Sequence, residues 1–409
     1  MSEVAQVPQL RFPEFSGEWE EKRFDSLYPT VRNGFVGVAT PYYVEEGVPY
    51  LQGKNIKSGA INRNGLVYIN ESFHQKSKKS QLRQNDIVMV QSGHVGECAV
   101  ITEEFEDTNC HALLVSTPTH DIDSKFYINY FYSKFGRKKI YRITTGNTIK
   151  HILSSDLKIQ TVSNPSYQEQ QKIAAFLTAV DSKIEQLSKK KALLGEYKKG
   201  LMQQIFSQAI RFKADDGSEF PEWKERRLGD VCSKAKSGGT PRSTTKEYYD
   251  GDIPFLAISD ITRQGKYLTS ASKKISQLGI DNSASWIVPI DTIIYSMYAS
   301  VGFVSINKIP LATSQAVINL IVKDGYSIEF IYYHLIEVKK TIHKFIETGT
   351  QGNLNAQTVK SLILNIPSLP EQAKIANFLS SIDNKIEQVG KQLDESKQFK
   401  KALLQQMFV

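Results

Sequence analysis

Residues 165–206 read PSYQEQQKIAAFLTAVDSKIEQLSKKKALLGEYKKGLMQQIF, and residues 367–408 read PSLPEQAKIANFLSSIDNKIEQVGKQLDESKQFKKALLQQMF. Laid together at an offset of 202 without a gap, they agree at 21 of 42 positions. Chance supplies only a few matches, so the chain contains an internal repeat, and repeats are weighed before any single motif. Apolar residues recur in steps of four and three. In the first copy they fall at Ile173, Leu177, Val180, Ile184, Leu187, Leu194 and Leu201, and in the second at Ile375, Leu379, Ile382, Ile386, Val389, Leu393 and Leu403, with the polar residues Lys191, Lys198, Ser396 and Lys400 at the intervening steps. Lys, Gln and Glu fill the positions between. That alternation predicts two long helices with a coiled-coil seam. Each could reach ~60 Å at 1.5 Å per residue. Pro165 and Pro367 suit the first helical position, where no amide donor is wasted. Gly195 and Gly200 weaken the first helix locally.

Outward from these blocks the repeat is fainter. Arg11-Phe12 and Glu18-Trp19 are echoed by Arg211-Phe212 and Glu222-Trp223, and Val48-Pro49-Tyr50-Leu51 by Ile253-Pro254-Phe255-Leu256. Asp86-Ile87-Val88 matches Asp291-Thr292-Ile293, and Thr145-Gly146 matches Thr348-Gly349. The offset drifts between 200 and 206, as loop insertions would make it. The intervening segments mix short apolar runs bounded by Gly, Asn and Ser with one helical stretch each, which predicts α/β (α+β) domains. The expected division is residues 1–163, domain one; 164–208, first repeat helix; 209–366, domain two; and 367–409, second repeat helix. Two copies related by an approximate two-fold axis must run their helices antiparallel, as an intramolecular coiled coil.

Composition limits the function. The chain has 409 residues, 40% hydrophobic and 23% charged, which is globular and long enough for several domains. Three cysteines without a C-x-x-C pair support neither a disulfide framework nor structural zinc. The amino terminus has no apolar signal core and no run approaches ~18 apolar residues, so a cytoplasmic protein is expected. Fifty-one basic against 43 acidic residues give +8, spread thinly over all four segments. Such a surplus is weak support for a nucleic-acid partner by itself.

The loops say more. Arg137-Lys138-Lys139 and Arg142 precede the polar loop holding Thr145, Asn147, Lys150 and His151. Lys339-Lys340 and Lys344 precede another holding Thr350, Gln351, Asn353 and Asn355. Cations neutralise phosphates, whereas amides and Arg read base edges. A single loop of this kind is most simply a solvated helix end; its recurrence in both copies makes a nucleic-acid contact an equally good reading. Candidate base-contacting residues in the first domain also include Gln52, Lys54, Asn55, Ser92, Gly93 and His94. In the second they include Ser259, Asp260, Arg263, Tyr298 and Ser300.

Three catalytic look-alikes fail. Asn164-Pro165-Ser166-Tyr167 resembles an adenine-methyltransferase motif, but lacks its second proline and is not repeated. Glu222-Trp223-Lys224 imitates a nuclease motif, but its first-copy counterpart, Glu18-Trp19-Glu20, lacks the lysine. Gly47 to Gly53-Lys54 is one residue too long for a phosphate loop, and Asn55 replaces the hydroxyl that would bind magnesium.

Together these residues resemble the specificity subunits of type I restriction-modification enzymes. The resemblance rests on Glu-Gln-x-Lys-Ile-Ala-x-Phe-Leu at Glu169–Leu177 and Glu371–Leu379 and on Asp-x-Lys-Ile-Glu-Gln starting at Asp181 and Asp383. The Leu-x-Gln-Gln-x-Phe closures at 201–206 and 403–408 and the Glu-Trp pairs complete it, so it covers the whole chain. It implies a non-catalytic DNA-recognition subunit whose two domains each read half of an asymmetric bipartite site. Its helix pair would set the separation and dock two modification (methyltransferase) subunits, joined by two restriction (translocase and nuclease) subunits. S-adenosylmethionine, ATP and magnesium would belong to those partners, with no cofactor or metal in this chain. The competing readings are a self-sufficient methyltransferase or nuclease, and a coiled-coil scaffold with no DNA role.

Overall fold

The computed structural model describes residues 6–298, 300–345 and 353–409, the side chains of 343–345 excepted. The chain divides into two compact units, residues 1–189 with 390–409, and residues 190–389. Both division points fall inside long helices.

In the first unit a two-stranded ribbon, β1 (Glu20–Arg23) with a strand at Thr161–Asn164, joins the start of the domain to its end. The main sheet contains β2 (Thr30–Asn33), β3 (Ile87–Val90), β4 (Cys98–Val100) and β5 (Leu113–Thr117) in the order β2-β5-β3-β4, all antiparallel. The ribbon strand at Thr161–Asn164 is β6. Helices α1 (Ser124–Tyr132) and α2 (Lys134–Arg142) follow the sheet, α1 capped by Asp123 and α2 by Ser133. The long helix α3 (Tyr167–Phe206) then leaves the ribbon. Its opening turns share one core with Trp19, Phe126, Tyr130, Leu403, Met407 and Phe408. The start of α3 therefore lies against the end of the chain, antiparallel as expected.

The second unit repeats the plan. A ribbon pairs β7 (Lys224–Arg227) with a strand at Ile363–Ile366. Its main sheet, β8 (Cys232–Ser237), β9 (Tyr267–Leu268), β10 (Ile293–Ser296), β11 (Val304–Asn307) and β12 (Val317–Val322), has the order β8-β12-β10-β11-β9. This is the first unit's order with one parallel edge strand added. The ribbon strand at Ile363–Ile366 is β13, and helices α4 (Ile328–Val338) and α5 (Leu369–Gln406) correspond to α1 and α3. Here Met202 and Ile205 of α3 pack with Ile375, Ala376 and Leu379 of α5.

All fourteen predicted seam residues are buried or partly buried. Two polar seam positions are also occupied with purpose. Lys400 pairs with Asp181 at 2.6 Å and Lys198 with Asp383 at 2.5 Å, one pair in each unit, related by the repeat offset. The prolines differ from expectation. Each long helix starts two residues after its proline, so Ser166 and Ser368 take the cap position and Pro165 and Pro367 lie outside it. An extended residue that needs no amide suits that position equally well.

The echoes at Arg11-Phe12 and Arg211-Phe212 acquire a reason. Arg11 donates two bonds to buried Glu169, at 2.7 and 2.8 Å, and Phe12 meets Phe176 edge-on. Arg211 donates to buried Glu371 at 3.0 Å and Phe212 meets Phe378. The adjoining glutamines are buried as well: Gln170 accepts from the amide of Asp123 at 3.0 Å, and Gln372 from that of Ser327 at 2.8 Å. The Glu-Gln pair thus fastens each domain to its own helix.

Candidate nucleic-acid interface

In the first unit, three separately proposed segments meet around one cleft of about 1030 Å³. Its walls include Lys54, Ser92, Gly93, His94 and Lys150, together with Lys57, Arg137, Lys138 and Tyr141. The turn after β3 is bonded to the polar loop: Gly93 N donates to Lys150 O at 3.2 Å, and Ile152 N to Gln91 O at 3.0 Å. The loop is closed on itself by reciprocal bonds between Thr145 and His151, 2.9 and 2.8 Å. Gly146 is required there. Its φ is +95°, and a Cβ would lie 2.2 Å from Ile149 O. Thr145, Asn147, Lys150 and His151 are all exposed, as is Arg142 at the end of α2.

Glu97 is the one carboxylate lining the cleft. It accepts from Ser58 N at 2.6 Å, from the Tyr132 hydroxyl at 2.8 Å and from Arg137 at 3.0 Å. Burial raises its pKa, but those donors outweigh burial and hold it below the usual carboxylate range. Arg137 also stacks over Tyr132 at 4.3 Å, so it is fixed while Lys54, Lys57 and Lys138 remain free to meet an anion.

Two candidates are corrected. Asn55 is fully buried: its side chain accepts from Gln52 N and donates to Asn62 O, both at 3.0 Å. An amide spent on fixing its own loop cannot reach a base. Asp260 is likewise buried, accepting from Ala257 N and Ser272 N at 3.0 Å and from Arg263 at 2.6 Å. It lies in the first turn of the helix Ile258–Gln264 and accepts the amide of the cap residue Ala257, and a desolvated carboxylate already holding these donors has no free face for a base. Gln52 is partly committed, donating to the Tyr43 hydroxyl at 2.7 Å. Among the proposed cations, Lys139 turns to Glu21 at 2.7 Å, away from the loop.

The second unit places Met297 and Tyr298 beside Leu354, whose amide donates to Met297 O at 3.0 Å. The turn after β10 and the loop before β13 are thereby joined, as in the first unit. Asn353 is partly buried there, whereas Asn355 is exposed and caps the helix Ala356–Ser361. Ser259 and Arg263 are exposed, and Ser300 accepts from Phe303 N at 3.2 Å. Thr350 and Gln351 lie outside the described residues, as does the side chain of Lys344. Lys57, Glu97 and Tyr141 were missed at the sequence level. Only the proximity of Lys57 to Lys54, and the helical spacing of Tyr141 from Arg137, pointed to two of them.

The decoys resolve structurally. Asn164 accepts from the Tyr127 hydroxyl at 2.7 Å, and Trp223 packs on Phe206 and Phe330. Among the described residues no group of His, Cys, Asp and Glu could hold a metal ion, and no helix is long and apolar enough to cross a membrane.

A model of the type I restriction modification DNA specificity domain matches residues 16–195 and again residues 221–396. The chain belongs to this family. Each of the two matches covers one globular domain and most of the helix after it. The chain is 32% identical over 193 residues to the type I restriction enzyme MjaIX specificity subunit of Methanocaldococcus jannaschii, covering 46% of this chain but only 44% of that relative. It is 23% identical over 417 residues to the same organism's putative MjaX specificity subunit, covering 98% and 94% of the two chains. Its fold resembles the crystal structure of a type I S subunit from M. genitalium, with a TM-score of 0.62 and 19% identity, covering 98% of this chain and 99% of that one. A second solved chain, from a study of complex assembly and conformational transition in the type I system, has a TM-score of 0.58 at 16% identity, covering 94% and 96%.

Proposed function

We propose that this chain reads a DNA sequence in two parts, one through each globular domain, for a type I restriction-modification complex. Residues 1–163 and 209–366 contact half-sites that differ from one another, because the side chains around the two loop junctions differ. The helical segments 164–208 and 367–409 set the separation and dock two modification subunits. Methylation with S-adenosylmethionine, and ATP- and magnesium-dependent restriction, belong to the partners. The observation that carries this reading is the recurrence of one arrangement in both units: the turn after the central strand is bonded to the loop before the ribbon. In the first unit that junction opens onto a cleft lined by five Lys or Arg residues and one carboxylate. Phosphate neutralisation explains such an excess, and exposed amides beside it can read base edges.

Methylation-aware sequencing of DNA from cells carrying the chain and its partners identifies the target. On that duplex, Arg142→Ala weakens binding to cognate and random sequence alike, whereas Asn147→Ala relaxes the choice at one position. Equal losses on both duplexes for Asn147→Ala would refute its base-reading role.

A further inference from the structure

The first unit has a second basic cleft, of about 500 Å³, lined by Asn33, Gly34, Phe35 and residues 75–80. Its walls carry Lys76, Lys78 and Lys79 and no carboxylate, and all three lysines are exposed. The turn that bears them is fastened from beneath by buried polar groups. Arg32 donates to Lys79 O at 3.1 Å and to Gln81 O at 2.7 Å, and is itself held by buried Asp86 at 3.0 Å. Ser80 donates to Asn109 at 2.5 Å, and Asn109 donates back to Ser77 O at 3.3 Å; both side chains are buried. On the floor, a Cβ at Gly34 would lie 2.6 Å from Cys110 Sγ, so the backbone approaches as closely as only glycine allows. Buried polar networks are costly unless satisfied. This one spends its bonds on turning the carbonyls of residues 77–81 inward, which leaves the lysine side chains to solvent.

The two clefts share one end of the main sheet. Val90, where β3 ends, pairs with Leu113, and Asn33, where β2 ends, pairs with Leu114. Only β5 separates β2 from β3, so the two strand ends are ~10 Å apart. That is within the ~12 Å width of a major groove.

We propose that the Lys76–Lys79 cleft holds backbone phosphates of the duplex whose base edges lie against the Lys54–His94 cleft. The site rests on the DNA-reading function above and adds a sequence-independent contact to it. Phosphate contacts fix register and orientation and carry no sequence information themselves.

The test is K76A/K78A/K79A in the assembled complex, measured against ionic strength on a duplex with the mapped target and on a scrambled duplex. Each neutralised phosphate contributes about 0.9 to the slope of log K against log salt, so the slope should fall by ~2.7. Between 50 and 200 mM salt the variant should then lose about 40-fold less affinity than the parent. The loss at low salt is equal on the two duplexes, and arginine at all three positions restores it. An unchanged slope beside a salt-dependent parent overturns this cleft alone, as does a loss confined to the target duplex. Failure of the variant to assemble with its partners, with its DNA slope intact, assigns the lysines to an acidic protein surface and also overturns the proposal. A parent complex that retains no duplex overturns both this site and the function it rests on.

Discussion

Replacing Arg11 should cost the first unit more than replacing the carboxylate it binds. Glu169 is almost completely buried, with 2% of its side chain exposed, while Arg11 retains 13%. Arg11→Met leaves a desolvated carboxylate without its two charge-assisted bonds, and breaking a buried pair from one side costs ~3–5 kcal/mol. Glu169→Gln leaves a guanidinium that still donates to the carbonyls of Ser16 and Gly17, so the cost falls to ~1.5–3 kcal/mol, the range of a hydrogen bond lost to a charged group. The double variant removes both charges and should lie below Arg11→Met. The asymmetry of roughly 2 kcal/mol thus measures which partner is buried. Trp19 lies in the affected core, so its fluorescence during urea unfolding, in a background with Trp223 and Trp286 changed to Phe, reports the first unit. Equal costs for the two single variants, or a double variant worse than Arg11→Met, would show that the pair is not holding a buried charge.

The inter-helix pairs behave differently. Asp181 is 48% and Lys400 21% exposed, so Lys400→Met should cost at most ~1 kcal/mol in denaturant titrations, and that cost should vanish in 1 M salt. Gly146→Ala should lower affinity for duplex DNA in a filter-retention assay while leaving the urea midpoint of the first unit's core within error, because the strain falls on an exposed loop. His334 supplies a pH dependence. Burial, only partly offset by its backbone bonds, lowers its pKa to about 4 from 6.5. The folded state therefore refuses a proton that the unfolded chain accepts, and stability falls as pH drops from 6.5 towards 4, by roughly 3 kcal/mol in all. The first unit has Tyr130 in the matching place against Phe408, as His334 sits against Phe206, so His334→Tyr should flatten that acid limb in melts of the second unit.

The helices were legible because a seam of Ile, Leu and Val in steps of four and three admits one periodicity, and the same steps occur twice. The strands at Ile87–Val90 and Ile293–Ser296 were legible as short apolar runs. The site was less so. Asn55 and Asp260 have the residue types that bind DNA, yet polar side chains next to a strand are as often spent closing a turn, and burial decides between the two uses. Lys57 and Glu97 belong to the same cleft wall but stand 40 residues apart in sequence, brought together where Ser58 donates to Glu97 and Gly59 bridges to Ala99. No spacing rule links a strand-end carboxylate to a loop amide across a sheet. The cap position was missed for a simpler reason: Pro-Ser before a helix fits proline inside or just outside the first turn, and only the backbone separates these.

What the two units keep and what they change divides by location. The Arg-Glu pair, the Phe-Phe contact and the glutamine that accepts a cap amide recur in both units, and all of them lie where a domain meets its long helix. The Asp-Lys pairs between the helices recur in the same way. The differences gather in the loops. Lys54 and His94 have no counterpart of the same type around Tyr298 and Leu354, and the sequence Lys76-Ser77-Lys78-Lys79 is not repeated in the second unit. Residues fixed by a buried charge or a close-packed aromatic pair cannot vary without a cost of ~1–5 kcal/mol, whereas exposed loop side chains vary nearly freely. The seat is thus held by energetics internal to the chain, and the reading ends are free to be set by whatever sequence they must contact. Exchanging the whole first domain between its ribbon strands, with the seat residues left in place, should therefore alter the DNA target without disturbing the core around Trp19; loss of that core in the exchanged chain would mean that the seat also depends on the loops it carries.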